Sequence, residues 1–222
     1  KKNFLRLIMI IFLDTVSSLP EFSLIKDNKI IYSCNILSNQ TEKMSDLLIP
    51  SYVDLEKKFN LNSELELLLI NTGPGSYTAL RVGIAFFSGL SLAKNLNLIG
   101  VSCLDLFRFV IPDKELITSG IYISSSNDQN FIYFFDLKEN KFKIKKIETN
   151  ISLCKQDINF NIFTKIYLNE NLNEQNKNLF SGIKTEVIKF SKLINNNLDK
   201  IRNFKKNQII EPIYFSNNKI LN

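Results

Sequence analysis

The stretch from residue 77 to residue 93 constrains the fold most, because it is predicted to form a helix that has no polar face. Its sequence is YTALRVGIAFFSGLSLA, and Arg81 is its only charged residue. A surface helix carries one apolar stripe and one polar face, whereas a helix that is apolar all round must be covered on both sides. The protein's own sheet can cover one side. The other side needs a second layer of the fold or another molecule.

Small residues line this predicted helix at a spacing of four. Ala85, Gly89 and Ala93 form one ridge, and Ala79 and Gly83 form a second, shorter one. Such rows let another backbone approach closely. Two interpretations are open. Either the ridge packs on the protein's own sheet, or it is a helix–helix interface with a partner, since an exposed apolar strip of this length is a liability for a monomer.

A glycine-rich loop precedes the helix. The chain has only 7 glycines, and 5 of them lie between residues 73 and 100, which indicates backbone angles or close approaches that a side chain would forbid. A phosphate-binding loop is disfavoured, because Walker A residues are absent, Thr78 stands where a dinucleotide loop has its third glycine, and Pro74 lacks an N–H group. We therefore predict a structural loop in which Ser76 or Thr78 caps the helix. Its residues are Gly73, Pro74, Gly75, Ser76, Thr78, Arg81 and Gly83.

Histidine is absent from all 222 residues. This excludes Ser-His-Asp and Cys-His catalysis and histidine-based zinc sites. Cys34, Cys103 and Cys154 are far apart and form no C-x-x-C pair, which disfavours a disulfide framework and indicates a reducing, cytoplasmic location. The sequence therefore leaves few groups that could carry out chemistry.

Positive charge is concentrated in the second half of the chain. The net charge is +6, and residues 138–206 hold 15 lysine and arginine residues against 7 acidic ones. Two explanations are open: contact with the phosphate backbone of a nucleic acid, or solvated faces that are rich in Lys and Asn.

The pattern of predicted strands and helices repeats along the chain, as three strands, a helix, a strand and a helix. The apolar run at 5–13 is too short to cross a membrane and predicts a buried strand rather than a signal peptide. The repeat predicts an α/β protein of the actin/Hsp70-like (ASKHA) class, with two ribonuclease-H-like lobes. We place the lobes at 1–107 and 108–222, with the last segment packing back on the first lobe. In the second lobe, helices are predicted at 151–156 and 185–198.

Several motifs resemble those of the TsaB family of tRNA threonylcarbamoyladenosine biosynthesis proteins. Residues 73–83, GPGSYTALRVG, are similar to the family's G-P-G-S-F-T-G-L-R-I-G, and residues 99–102, IGVS, are similar to the start of its G-V-S-S-L region. Weaker likenesses are Asp14-Thr15, SDLLIP at 45–50 and EPIY at 211–214. The chain departs from the family at 124–133, SSSNDQNFIY, where the family has D-A-R-x-x-E-V-Y.

The resemblance implies a non-catalytic scaffold subunit of the complex that transfers a threonylcarbamoyl group to adenosine in tRNA. The family's partners are the catalytic paralogue TsaD, which carries the metal site, and the ATPase TsaE. A homodimer without the partner and a weak contact with tRNA are left open. The resemblance implies no cofactor, metal, catalytic residue or membrane contact in this chain. The family pairs through its two first-lobe helices, which predicts an interface formed by Leu48, Tyr52, Leu80, Ile84, Ala85, Phe87 and Gly89.

The two-lobed pattern also fits a second function, that of an enzyme. An ATP-dependent, kinase-like enzyme of the actin fold would use Asp14 as a metal-binding carboxylate and the glycine loop for phosphates. Such enzymes need further acidic residues and phosphate loops in both lobes, and the sequence offers no convincing second set. Magnesium-dependent ATP turnover that is lost in Asp14→Asn would favour this alternative.

Overall fold

The protein folds as two lobes, each built on a five-stranded mixed sheet. The computed structural model describes residues 9–39, 41–61, 64–125, 129–147, 158, 160–172, 177–204, 209–216 and 219–221. The predicted α/β architecture of the actin class, with two ribonuclease-H-like lobes, is confirmed. The helix predicted at 151–156 lies outside the described residues.

The first lobe consists of three antiparallel strands followed by two helix crossovers. In chain order its elements are β1 (Met9–Asp14), β2 (Glu21–Lys26), β3 (Lys29–Asn35), α1 (Met44–Phe59), β4 (Leu65–Asn71), α2 (Tyr77–Lys94), β5 (Asn97–Val101) and α3 (Cys103–Arg108). The sheet has the order β3-β2-β1-β4-β5, in which β4 is parallel to both β1 and β5. The helices α1 and α2 lie against each other, and α2 also contacts β4 and β5.

The second lobe repeats this connectivity after a short helix, α4 (Asp113–Leu116). Its strands are β6 (Ser119–Ser124), β7 (Asn130–Asp136), β8 (Lys141–Ile147), β9 (Lys165–Leu168) and β10 (Lys184–Val187), and its helices are α5 (Phe190–Asn196) and α6 (Leu198–Ile201). The sheet order is β10-β9-β6-β7-β8, with β9 parallel to both β6 and β10. Single 3₁₀ turns occur at Phe160–Ile162 and Asn178–Phe180, and a small hairpin, β11 (Tyr214–Ser216) and β12 (Lys219–Leu221), follows near the C-terminus.

One apolar core joins the two sheets. In β1, Ile10 and Phe12 face this inner core, whereas Ile11 and Leu13 face the outer core beneath α1 and α2. Burial on both faces explains why β1 is a continuous apolar run rather than an alternating one. The helices α3 and α5 lie between the sheets and contribute to the same inner core. A third core lies on the outer face of the second sheet.

The helix predicted at 185–198 is wrong in its first part. Residues Lys184–Val187 form β10, the edge strand of the second sheet, and α5 begins only at Phe190. All four residues of β10 are exposed, so the strand lacks the alternation of apolar and polar residues that identifies a strand in a sequence. The fifth strand also completes the match between the topologies of the two lobes.

Candidate functional site

The helix α2 has one buried face and one exposed face, although nearly all of its residues are apolar. Its buried residues point towards the sheet and α1, and the opposite face is open to solvent. Leu92 on the open face is 84% exposed. The exposed residues are Tyr77, Thr78, Arg81, Ala85, Gly89, Leu92 and Ala93. We call these residues the α2 stripe. The helix is therefore covered by its own fold on one side only.

Five of the residues predicted to form the partner interface lie beneath this surface. Leu48, Tyr52, Leu80, Ile84 and Phe87 are at most 8% exposed and belong to the apolar cores. Side chains buried to this degree offer a second protein little surface. We therefore expect these side chains mainly to support the surface from below, and the contact residues of the interface stay a prediction. Ala85 and Gly89, the other two predicted residues, are exposed.

Aromatic packing fixes α1 and α2 relative to each other. The ring of Tyr52 on α1 lies 5.3 Å from the ring of Phe86 on α2, and Phe87 lies 6.2 Å from Phe22 on the sheet. Aromatic pairs at these separations stabilise beyond the area that they bury. An ion pair between Lys94 and Glu56 also joins the two helices. The two helices thus form a preorganised surface, to which α1 adds Ile49, which is 57% exposed.

The glycine loop is a structural connection between the lobes. The amide of Gly73 donates to Asn71 Oδ1 at 3.1 Å, and the amide of Ser76 donates to Ser125 Oγ of the second lobe at 3.2 Å. Gly73 has φ +106°, a conformation that favours glycine. Two amides that would otherwise be open to an anion are therefore used within the fold. Ser76 occupies the N-cap position of α2 as predicted, but its side chain makes no capping bond.

Replacing either of two glycines in α2 with alanine is expected to change the free energy of unfolding in opposite directions. A Cβ atom on Gly83 would lie 2.3 Å from Cγ2 of buried Thr15, whereas a Cβ atom on Gly89 meets nothing within 4 Å. Alanine in a helix is favoured over glycine by about 1 kcal/mol, and overpacking a core costs about 1–3 kcal/mol. We expect Gly89→Ala to raise the free energy of unfolding and Gly83→Ala to lower it, as measured by urea denaturation. Equal effects of the two variants would contradict this account of the helix faces.

A cleft of about 410 Å³ separates the lobes. Asp14 lies at its base, at the end of β1, and is 5% exposed. Its Oδ1 accepts hydrogen bonds from the amides of Val16 (2.9 Å) and Ser17 (3.2 Å), and its Oδ2 accepts one from Ser17 Oγ (2.6 Å). Burial outweighs these hydrogen bonds and raises the pKa of Asp14 from its ordinary value of 3.8 to about 6.

Hydrogen bonds at the cleft join the two lobes. Glu170 of the second lobe accepts from the amide and the hydroxyl of Ser18, at 3.3 and 2.9 Å, and burial raises the pKa of its carboxyl. Asn169 Nδ2 donates to Ser17 Oγ at 3.2 Å. The sequence analysis missed both second-lobe residues, because they follow a short strand and belong to no motif. These contacts hold the lobes together, which is a structural role.

The cleft does not favour phosphate chemistry at Asp14. Its carboxylate already accepts three hydrogen bonds, which fill most of the roughly four acceptor positions of such a group. The cleft is also lined by Glu21 and Glu170, with Lys189 as the only cation among the described residues that line it. Within the described part of the chain, no group of three or more Cys, Asp or Glu side chains is arranged to hold a metal ion.

The C-terminal segment contacts the first lobe beside α2. The amide of Ile213 donates to the carbonyl of Thr72 at 2.8 Å, and Ile210 packs against the outer core. Tyr214 accepts a hydrogen bond from Nε of Arg81 at 2.7 Å. The EPIY motif thus lies next to the GPGSYTALRVG motif in space, although more than a hundred residues separate them in sequence.

None of the helices that the structure describes combines the length and the apolar character of a membrane span.

Comparisons with known proteins agree with this fold. The family model of TsaD, tRNA N6-adenosine threonylcarbamoyltransferase, matches residues 36–220. YeaZ from Pseudomonas aeruginosa is similar in structure, with a TM-score of 0.59 and 12% sequence identity over 94% of this chain and 100% of that chain. A second structure, an uncharacterized protein with similarity to peptidase YEAZ from the same organism, matches with the same values. No curated protein matches the chain in sequence. Because the family model covers most of the chain, the chain belongs to the TsaD family, as a TsaB-like member of this group of tRNA-modification proteins.

Proposed function

We propose that this chain is a non-catalytic scaffold subunit that binds a TsaD-like catalytic subunit and supports threonylcarbamoyl transfer to tRNA. The observation that carries the proposal is the exposed, mostly apolar α2 stripe on a chain of this family. An apolar face of this kind on a folded protein marks an interaction site. The face is also rigid, since aromatic packing and an ion pair tie α1 to α2.

The shape of the stripe suits a helix of the partner. Ala85 and Gly89 lie one helical turn apart on the exposed face, and Ala93 continues the row. Small side chains at this spacing let two helix backbones come close and gain dispersion contacts along their length. Leu92 beside this row is an apolar side chain that a partner would bury. The core residues Leu48, Tyr52, Leu80, Ile84 and Phe87 mainly keep the helices in place.

The same complex includes further partners. A TsaE-like ATPase joins the pair, and the complex works in the cytoplasm. The lysine-rich second lobe makes a weak contact with tRNA whose strength falls as salt is added, because each contact with a phosphate releases a bound counterion. The chain has no histidine with which to bind the catalytic metal of the family, and we assign the transfer reaction to the partner. The two lobes correspond to residues 1–107 and 108–222.

The proposal is tested with the chain and the TsaD-like subunit from the same organism. We expect the two purified proteins to co-elute in size-exclusion chromatography, and we expect the chain to raise the rate at which the partner modifies tRNA. The chain alone is expected to hydrolyse no ATP in the presence of magnesium. Separate elution of the two proteins would refute the scaffold role. ATP turnover by the chain alone, lost in Asp14→Asn, would favour the kinase-like alternative.

A further inference from the structure

Arg81 is held in a fixed position on the exposed face of α2. Its guanidinium carbon lies 3.8 Å from the ring centroid of Tyr77 and 5.4 Å from that of Tyr214. The two rings lie 4.7 Å apart, and Nε of Arg81 donates to the hydroxyl of Tyr214 at 2.7 Å. Most exposed arginines are free to rotate and lose entropy when they bind. This one has already lost that freedom, so binding costs it less.

The charge of Arg81 is not paired with a carboxylate within the described part of the chain. Among the described residues, no carboxylate lies within salt-bridge distance of the guanidinium, which interacts with the hydroxyls of Tyr214 and Tyr77. The Nη1 and Nη2 groups together form the end of a planar fork that matches the two oxygens of a carboxylate. The structure thus contains a charged donor pair that is oriented and unneutralised.

This donor pair lies at the edge of a groove. The α2 helix and the C-terminal segment form its two walls, with a volume of about 530 Å³. Ile84, Ala85 and Pro212 make it mainly apolar, and Glu211 of the C-terminal segment also lines it. Ala85 belongs to both the groove and the α2 stripe, so the groove is continuous with the surface that we propose for the TsaD-like subunit.

We propose that Arg81 anchors an aspartate or glutamate side chain of the TsaD-like partner at this groove. The inference rests on the proposed function for the identity of the partner. An apolar groove with one oriented guanidinium suits a protein segment that carries apolar residues and a single carboxylate. A nucleic acid suits it less, because the groove is mainly apolar and Arg81 is the only cation among the described residues that line it, whereas a phosphate backbone needs several cations. Tyr77 and Tyr214 are positioning residues, since they act by holding Arg81.

The test measures the Kd of the complex by isothermal titration calorimetry. A bidentate, charge-assisted pair contributes enough that Arg81→Ala should weaken binding about 100-fold. Arg81→Lys keeps the charge but loses the planar fork, and we expect a loss of about tenfold. Tyr214→Phe keeps the ring but removes the bond to Nε, so a loss of about threefold is expected. Affinity of the wild-type complex should also fall with added salt more steeply than that of the Arg81→Ala complex, which a purely structural role would not produce.

Arg108→Ala is the matched control, because Arg108 also lies over an aromatic ring, Phe142 at 5.6 Å, but contacts the second lobe. The complex of the Arg108→Ala chain should have the same Kd as the wild-type complex, and all variants should unfold at similar temperatures. If Arg81→Lys binds as the wild type does, the carboxylate anchor is refuted. Unchanged partner affinity with weakened tRNA binding would assign Arg81 to a phosphate instead and would also overturn the proposal. A wild-type chain that binds no partner refutes the proposed function itself, and this inference with it.

Discussion

Gly89→Arg is expected to abolish binding of the TsaD-like subunit while leaving the isolated chain at least as stable as the wild type. A side chain at position 89 points into open space, since a Cβ atom there meets nothing within 4 Å. Arginine is also a better helix former than glycine, by about 1 kcal/mol. In the complex, the same side chain would hold two helices apart and bury an unpaired charge, at a cost of several kcal/mol or more than about 100-fold in Kd.

The measurement combines size-exclusion chromatography of the mixed subunits with urea denaturation of the isolated chain. Thr185→Arg is the control, because Thr185 is exposed on β10 at the edge of the other lobe. It adds the same charge, and we expect it to bind the partner normally. A Gly89→Arg chain that co-elutes with the partner would show that the α2 stripe is not the interface. A variant that unfolds more easily would show instead that position 89 is packed within the chain.

The sequence predicted this surface in outline, but five of the seven side chains that it placed there are buried in the folded chain. The apolar helix without a polar face left open whether the fold itself or a partner covers its second side, and in the folded chain that side is exposed. Hydrophobicity alone could not predict which side of the helix is exposed. Because the sheet and α1 bury the large residues Leu80, Ile84 and Phe87, the exposed side is left with the small residues Ala85 and Gly89. The exposed face of such a helix is thus marked by small residues rather than by large ones.

The fold could be predicted where strands are buried. The run that forms β1 identified a central strand, because a strand covered on both faces is apolar throughout. Exposed edge strands carry no such signal, and β10 was therefore taken for the start of a helix. The contact between Arg81 and Tyr214 also lay beyond the sequence, since it depends on how the C-terminal segment returns to α2. Both residues stood in recognised motifs, and only the fold brings the motifs together.

Asp14→Asn is expected to stabilise the chain at neutral pH and to have little effect in acid. Folding raises the pKa of Asp14 from 3.8 to about 6, because the cost of burying its charge exceeds the gain from its hydrogen bonds. The folded state therefore holds this proton more tightly than the unfolded state, and ionisation lowers stability as the pH rises from about 4 to about 6. At pH 7.5 the full penalty applies, which for a pKa raised from 3.8 to about 6 is about 3 kcal/mol.

Asparagine removes the charge but keeps the geometry. Its Oδ1 can still accept from the amides of Val16 and Ser17, and its Nδ2 can donate to Ser17 Oγ in place of the present bond. We expect the free energies of unfolding of the variant and the wild type to converge near pH 4 and to differ by up to about 3 kcal/mol at pH 7.5. Other acidic groups titrate in both proteins, so the difference between the two curves isolates Asp14.

Asp14→Ala is the control, because it removes the charge and also leaves the two amides without an acceptor, which costs about 1–3 kcal/mol each. Parallel curves for Asp14→Asn and the wild type would show that the carboxylate is not strained by burial. Asp14 then acts by ordering the turn between β1 and β2, from which Ser17 and Ser18 bond to Asn169 and Glu170 of the second lobe.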